Sequence, residues 1–383
     1  MNKVFHACIN YIKMTDKLLW LICICTSAFG AALVYSATRT VSISQFRTQV
    51  IAIVIGYLAA FVITKLDYQK ICSLWIVIAV LCIGLMAATS IFGSRVEGAD
   101  DKAWIILPGG MSIQPSEIVK IGFIVTFAKH LDILRRKNKL KSFPQVMLLC
   151  LHMAVPVGII HLQGDDGAAL VFFFIFLAMC FGAGIQLRYF AALGVALCAA
   201  VPLAWKFILN TDQKKRIQIL LDHSLDPLGY GYQQGQGEIS IGSGMMNGRG
   251  LFQGPRVARG IVPEDHNDFI FSVAGEELGF IGCVAILILI GLILFKIMLV
   301  ARASQDPMGK YICYGFFGML AFQTIENVGM CLYLLPVVGI TLPFFSAGGS
   351  SAACLYFGVG LVQSVYMHRY KKKDLEFSSL EDV

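Results

Sequence analysis

The chain has 383 residues, of which 57% are hydrophobic and only 14% charged, with a formal net charge of +7. A soluble domain of this length carries about a quarter charged residues, so this composition excludes a water-soluble globular enzyme. Apolar runs of membrane-spanning length recur throughout, and in that setting the positive balance reflects lysines and arginines retained on one side of a bilayer, not a nucleic-acid surface.

Lys3, Lys13 and Lys17 precede an apolar run from Leu18 to about Tyr35 with no small-residue cleavage site behind it, so a retained first helix is expected. Spans are predicted at 17–37, 48–66, 71–92, 114–133, 144–162, 168–186, 188–209, 268–299, 309–332 and 347–367. The expected fold is an all-α polytopic membrane protein with about ten transmembrane helices. It forms a single integral domain over 1–383. One large extracytoplasmic loop, 210–267, lies between the seventh and eighth spans, and a cytoplasmic tail covers 369–383. No internal repeat is visible, which weighs against the paired halves of many transporters. Of the 31 Lys and Arg, 19 fall at one set of span ends and 10 at the other, several of the minority in the long loop. Both termini are therefore expected in the cytoplasm, with the long loop outside. The twelve cysteines sit almost entirely in apolar runs and contain no CxxC pair, so they read as small hydrophobes.

Charges at or inside spans are costly and are functional candidates by default. In "QPSEIVK", Gln114 to Lys120, the proline suits a first helical turn, and Glu117 and Lys120 become i, i+3 neighbours. They form either an anchoring ion pair or an outward polar site whose ammonium meets an anionic substrate. "VPEDHNDFIFSVAGEELGF", Val262 to Phe280, brings five acids to the mouth of the eighth span. Asp268 is the last of them before the apolar "FIF", so it is expected to be the most desolvated, which raises a carboxylate's basicity. Ser272, Gly275 and Gly279 continue its helical face in small residues. That face is either helix packing or a slot for a lipid chain. Glu276 and Glu277 lie off it and are expected to meet cations or water, whereas Glu264 and Asp265 shape the mouth. His266 is a second acid–base candidate or a solvated loop histidine. Arg216, Arg249, Arg256 and Arg259 are able to hold a diphosphate or to stay solvated. "GSGMMNGRG" reads as irregular loop, and no DxD pair, Walker loop or HExxH is present. A divalent cation such as Mg²⁺ that bridges a diphosphate needs few protein ligands, so a missing metal motif does not decide that question. "LPVVGITLPFFSAGGSS", Leu335 to Ser351, is broken backbone at membrane depth, which is tolerated only where protein buries it or it lines a wet cavity.

Together "IQPSEIVKI", "LQGDDGAALV", "DPLGYGYQ", "ISIGSGMMNGRGLFQG", "VPEDHNDFIFSVAGEELG" and "NVGMCLYLLPVVGITLPFFSAGGSS" resemble the SEDS family of shape, elongation, division and sporulation proteins, over about Asp16 to Arg369 and in the family's order. The resemblance is closer to the RodA type. It implies a peptidoglycan glycosyltransferase that polymerises lipid II, an undecaprenyl-diphosphate-linked disaccharide, at the outer face of a bacterial cytoplasmic membrane. It implies a class B penicillin-binding protein as partner, contact with membrane lipid, and no nucleic acid. Carried over by motif, Asp268 matches the essential aspartate, Glu117 and Lys120 the polar pair, and Arg47, Asp165 and Arg216 further family positions; His266 joins them as a substrate-contact candidate. Departures from the pattern fall at Ala103, Asp166, Gly235, Glu238, Tyr333 and Ala347. A lipid II transporter and a non-catalytic scaffold also suit a chain with charges buried in its spans.

Overall fold

The computed structural model describes residues 11, 13–40, 42–94, 102–106, 112–207, 209–222, 225–226 and 229–369. The expectations for Lys3 and for the tail beyond Arg369 lie outside the described residues. In chain order the helices are α1 (Lys17–Thr38), α2 (Ile43–Lys65), α3 (Tyr68–Ser73), α4 (Trp75–Phe92), α5 (Pro115–Arg136), α6 (Phe143–Leu162), α7 (Asp166–Gly182), α8 (Leu187–Phe207), α9 (Thr211–Leu221), α10 (Tyr230–Ser243), α11 (Pro255–Ala258), α12 (Ile270–Ala303), α13 (Pro307–Cys331) and α14 (Gly349–Met367). A two-residue hairpin precedes α5, with β1 (Ile105–Ile106) antiparallel to β2 (Ser112–Ile113) and Ile105 opposite Ile113. Among the described residues, seven helices are long and apolar enough to cross a membrane: α1, α2, α4, α6, α8, α12 and α14. The chain is a multi-pass helical membrane protein.

Polar side chains fasten the bundle at two ends. At one end Asp16 caps α1 through Leu19 N at 3.0 Å, pairs with Lys296 Nζ at 2.6 Å, and exchanges two hydrogen bonds with Gln363. Tyr68 and Gln69 donate to Asp306 at the same end. At the other end Gln49 of α2 spans two backbone groups, donating to Ser346 O and accepting from Gly348 N, each at 3.0 Å. Between these ends α2 packs along α14, α7 along α13, and α13 along α12, over a continuous apolar core. No residue of α8 is buried.

Two backbone breaks organise the second end, hereafter the mouth. The first lies in α12, where Gly279 has φ 66° and ψ −162° and splits the element into a short helix before it and a long one after it. The N–H groups that the break leaves free are taken by the loop before α11: Phe280 N donates to Met245 O at 2.8 Å and Ile281 N to Met246 O at 3.2 Å. The second is the non-helical stretch 332–348, threaded between α1 and α7. A Cβ on Gly30 would strike Phe344 O, and one on Gly167 would strike Val338 O. Protein therefore buries this stretch, as the physics of membrane backbone requires.

The long loop folds into α9, α10 and α11. Its position packs α10 against the short first half of α12, with Ile241 only 2.8 Å from where a Cβ on Gly275 would sit. The small face of Ser272, Gly275 and Gly279 is thus filled by α10 and the 244–250 loop, which overturns the lipid-slot reading of it. Asp268 also stands outside the helix, which starts at Ile270.

The conformation of Gly279 is accessible essentially to glycine alone, and a Cβ there would meet Met246 C at 2.7 Å. Gly279→Ala is expected to cost at least ~2 kcal/mol and to lower the melting temperature of the detergent-purified protein. Gly291→Ala, in open space on the same element, is expected to leave it unchanged or raise it.

Candidate active site

The mouth holds two groups of polar side chains joined by the 340–350 segment. Ala347 N donates to His266 O at 2.8 Å on one side, and Gln114 N donates to Ser350 Oγ at 3.2 Å on the other.

The first group surrounds Asp268. Asn327 of α13 donates its amide to Asp268 O at 2.7 Å and to Ile340 O at 2.8 Å, and Cys331 Sγ lies 3.7 Å from the same Asp268 carbonyl. The backbone of Asp268 is therefore clamped, while its carboxyl Oδ1 is shielded from solvent without a hydrogen-bond partner. Burial pushes the Asp268 carboxyl up to about 7; a backbone hydrogen bond and the charges of His266 and Arg216 pull the other way, and Glu264 adds to the rise. Arg216 is thus within electrostatic reach of Asp268. Its Nη1 donates to Val337 O at 2.9 Å, and it lines a cleft of about 430 Å³ with Asp226, Tyr232, Gln233 and Pro263. That volume falls in the range of small-molecule sites.

His266 is not a solvated loop residue. Its Nε2 is buried without a hydrogen-bond partner, and its Nδ1 lies 3.6 Å from Asp265 Oδ1. Asp265, in the loop at the mouth as expected, is buried, and burial is the largest cause of its raised pKa. Desolvation alone does not single out Asp268 from its neighbour. The absence of a partner at Oδ1 does.

The second group sits where α5 and α7 begin. Lys120 Nζ and Glu117 Oε1 form the i, i+3 pair at 2.7 Å, with Lys120 almost wholly buried. Glu117 faces a small cavity with Gln49, Gln323, Thr341 and Ser351. Asp165 caps α7 through Ala168 N at 2.9 Å and accepts from Gln114 Nε2 at 2.8 Å and Ser116 Oγ at 3.3 Å. It ties the two helix starts together. Arg47 lies exposed in the first turns of α2, two residues before Gln49.

Glu276 and Glu277, expected to meet cations or water, are both fully buried and bonded by protein donors. Glu277 accepts from Ser36 Oγ at 2.6 Å, Phe252 N at 3.1 Å and Gly254 N at 3.2 Å. Glu276 accepts from Arg256 N at 2.7 Å and Val257 N at 3.2 Å. The reason is local: the 248–257 chain wraps the first half of α12 and brings backbone N–H groups that only carboxylates there satisfy. Arg256 instead reaches Ser240 and Gln236 of α10. Gln49, Gln234 and Asn327 escaped the sequence reading. Each is a polar side chain within an apolar or turn-rich run that holds irregular backbone; Gln234 Nε2 donates to Met330 O at 3.0 Å and Leu335 O at 2.8 Å. For Gln49 and Asn327 the available signal is an amide inside an apolar span; for Gln234, in the long loop, the sequence carries none. Of the chain's departures, Asp166 joins His161 Nδ1 of α6 to Gln213 of α9, which fastens the long loop to the bundle. Among the described residues no three His, Cys, Asp or Glu side chains cluster as metal ligands.

The fold and this mouth define a multi-pass helical membrane protein with a carboxyl oxygen shielded from solvent and a cleft lined by Arg216. The chain belongs to the cell cycle protein family FtsW/RodA/SpoVE, whose profile matches residues 16–371. It is 32% identical over 380 residues to a Geobacter metallireducens protein described as "Probable peptidoglycan glycosyltransferase FtsW", covering 95% of this chain and 98% of that one. It is 30% identical over 355 residues to the Escherichia coli K12 peptidoglycan glycosyltransferase MrdB, covering 92% and 94%. A solved chain from work on the structural coordination of polymerization and crosslinking by a peptidoglycan synthase complex superposes with a TM-score of 0.80 at 30% identity, covering 94% of this chain and 99% of that one.

Loss of the Glu277 carboxylate strands three donors. Glu277→Ala is expected to destabilise the protein by on the order of 3 kcal/mol or more, with faster amide hydrogen exchange concentrated at 248–257. Unchanged exchange there would show that the wrap is held by other contacts.

Proposed function

We propose that this protein is a peptidoglycan glycosyltransferase that polymerises lipid II into glycan strands at the outer face of a bacterial cytoplasmic membrane. The observation that carries the reading is the Asp268 carboxyl: clamped by its backbone, buried and unpartnered at Oδ1, raised to about 7, and within the field of Arg216 beside an open cleft. The family membership and the activities named for its relatives support it.

In this reading Asp268 accepts the proton of a sugar hydroxyl as that oxygen forms a bond to the anomeric carbon of a second lipid-linked sugar. The bond from that carbon to the undecaprenyl diphosphate breaks, and the diphosphate leaves with the electron pair. Arg216 offsets the charge that develops on it, and Arg47 supplies a second exposed cation at the mouth. Glu117 lines a second, small cavity, Lys120 pairs with it and Asp165 braces the helix starts beside it, and His266 lies beside Asp265 as a further polar contact. The mouth faces outward, and both termini, including the tail 369–383, lie in the cytoplasm. The segment 210–267 is part of the single membrane domain over 1–383. The excess of Lys and Arg at the opposite end supports this orientation. A class B penicillin-binding protein is the partner we assign; the likeness to a chain from a complex that coordinates polymerization with crosslinking supports it.

Asp268→Asn is expected to abolish conversion of lipid II into polymer by purified protein, with the melting temperature retained. Normal polymerisation by that variant would remove Asp268 from the base role. Lipid II supplied in detergent needs no flipping, so polymer formed there separates the enzyme from a pure transporter. A base must be ionised to act, so turnover is expected to rise with pH through about 7 and to fall about tenfold per pH unit well below it. Lys120→Ala is expected to lower turnover at least tenfold, through collapse of the Glu117 pair and the wall that it supports. An unchanged rate would make that pair dispensable to the site.

A further inference from the structure

We propose that the end of the bundle opposite the mouth carries a site for an anionic phospholipid headgroup. The 135–141 turn between α5 and α6 and Arg188 at the start of α8 hold the lipid phosphate between them, and that headgroup fastens α8 to the bundle. The site is independent of the reaction at the mouth; with the mouth outward, it faces the cytoplasmic leaflet.

Topology brings these groups together. α5 leaves the mouth at Pro115 and ends at Arg136, α6 returns from Phe143, and α7 leaves the mouth at Asp166, so α8 starts at the far end at Leu187. Side chains then link α8 to the turn. The Tyr189 hydroxyl donates to Lys141 O at 3.0 Å, and Arg188 Nη2 donates to that hydroxyl at 3.2 Å. The Tyr189 ring stacks on Phe143 with centroids 6.4 Å apart. Arg188 is thereby held beside the turn.

The turn itself is ordered. Asn138, at φ 52°, reverses the chain, and Lys139 N donates to Leu134 O at 2.9 Å, a cap that satisfies the end of α5. Leu140 packs on the apolar core. Lys137, Lys139 and Lys141, on either side of it, are left exposed, as is Arg188. Arg136 pairs with Asp132 at 3.0 Å, whereas among the described residues Lys137, Lys139, Lys141 and Arg188 form no ion pair.

Charge asymmetry across a membrane accounts for cations at this end. It does not account for a capped turn that presents three unneutralised lysines next to an arginine of another span. A fixed anion does. Phe143 and Leu187 are exposed large apolar side chains in the same place, which sets the cations at the depth where headgroups meet acyl chains. An acidic soluble partner would meet the charges and leave those side chains unexplained; a phospholipid covers both. Guanidinium and ammonium groups are the donors that phosphate oxygens take. The bridge also supplies what α8 lacks. No residue of α8 is buried, and its other ring contact at this end is Phe190 against Phe181, with centroids 6.1 Å apart.

The test uses full-length protein in nanodiscs of phosphatidylcholine, with or without about a quarter phosphatidylglycerol. After transfer to detergent, retained lipid is identified by mass spectrometry. The wild type is expected to retain phosphatidylglycerol over phosphatidylcholine by at least ~5-fold, and to lose most of that preference at about 1 M salt. The combined variant Lys137→Gln, Lys139→Gln, Lys141→Gln, Arg188→Gln changes only exposed side chains, so it is expected to fold and to lose the preference. Neutralising exposed cations of the same end on other elements, by Lys13→Gln, Lys17→Gln, Lys70→Gln and Arg302→Gln together, is expected to keep it. Amide hydrogen exchange reads the bridge: phosphatidylglycerol is expected to slow exchange in the first turns of α8, and Arg188→Gln alone to remove that slowing. Equal retention of the two lipids by the wild type overturns the site and leaves the cations to charge asymmetry or to an acidic protein. Equal loss in both combined variants overturns it too, because the attraction is then a diffuse field. Preferential retention without slower exchange in α8, or slowing that survives Arg188→Gln, overturns the bridge.

Discussion

Every feature of the mouth depends on one requirement: irregular backbone inside a membrane protein must find hydrogen-bond partners within the protein. The chain breaks regular helix twice near the same place, at Gly279 and over 332–348. Each break frees N–H and C=O groups that lipid cannot satisfy. Met245 and Met246 carbonyls close the first, and Glu276 and Glu277 hold the loop that carries those carbonyls. Gln49, Asn327 and Gln234 serve the second, each with bonds to two backbone groups. The buried acids and amides of this chain are thus mostly structural, and they explain how a loop of nearly 60 residues comes to rest on a helical bundle as an ordered wall.

Asp268 takes its character from the same arrangement. It lies beside the second break, tied to Ile340 through Asn327, and its carbonyl is occupied by Asn327 and Cys331, so its carboxyl is placed without being neutralised. Glu277, on the neighbouring helix, shows the contrast. Three donors reach that carboxylate, and it works as a fastener. At Asp268 desolvation dominates, and the nearest opposing charges, His266 and Arg216, only moderate it. A carboxyl in that condition is a proton acceptor near neutral pH, whereas a fully bonded one is not.

Much of this was legible in the sequence, and the rest failed for physical reasons. The apolar runs gave the helices, because length and hydropathy are local quantities; α1, α5 and α6 begin within a few residues of expectation. The Glu117–Lys120 pair followed from i, i+3 spacing. The shielding of Asp268 Oδ1 accords with its place before "FIF". The role of Glu276 and Glu277 was not readable, since their partners are backbone groups some 20 residues upstream, invisible to any pattern of side chains. The small face of α12 was ambiguous because glycine in an apolar run signals close packing and helix breakage alike; Gly275 does the first and Gly279 the second. Asp165 was carried over by resemblance as a substrate contact. In the fold it is first a helix cap that joins α5 to α7.

The placement of unpaired polar atoms closes the argument. A buried polar atom left without a partner costs roughly 1–3 kcal/mol, and folded proteins keep few of them. Here His266 Nε2, Asp268 Oδ1, Glu326 Oε2 and Asn327 Oδ1 all belong to the mouth or to the stretch of α13 clamped against it. By contrast Asp16 and Gln363 at the opposite end, and Glu276, Glu277 and Gln49 within the mouth, are bonded through most of the polar atoms they carry. The molecule satisfies its backbone breaks with buried acids and amides, and four of the ten unpartnered buried polar atoms among the described residues lie at the mouth or against it. A site that must receive a proton and a polar, charged headgroup needs acceptors that the fold itself has not already filled.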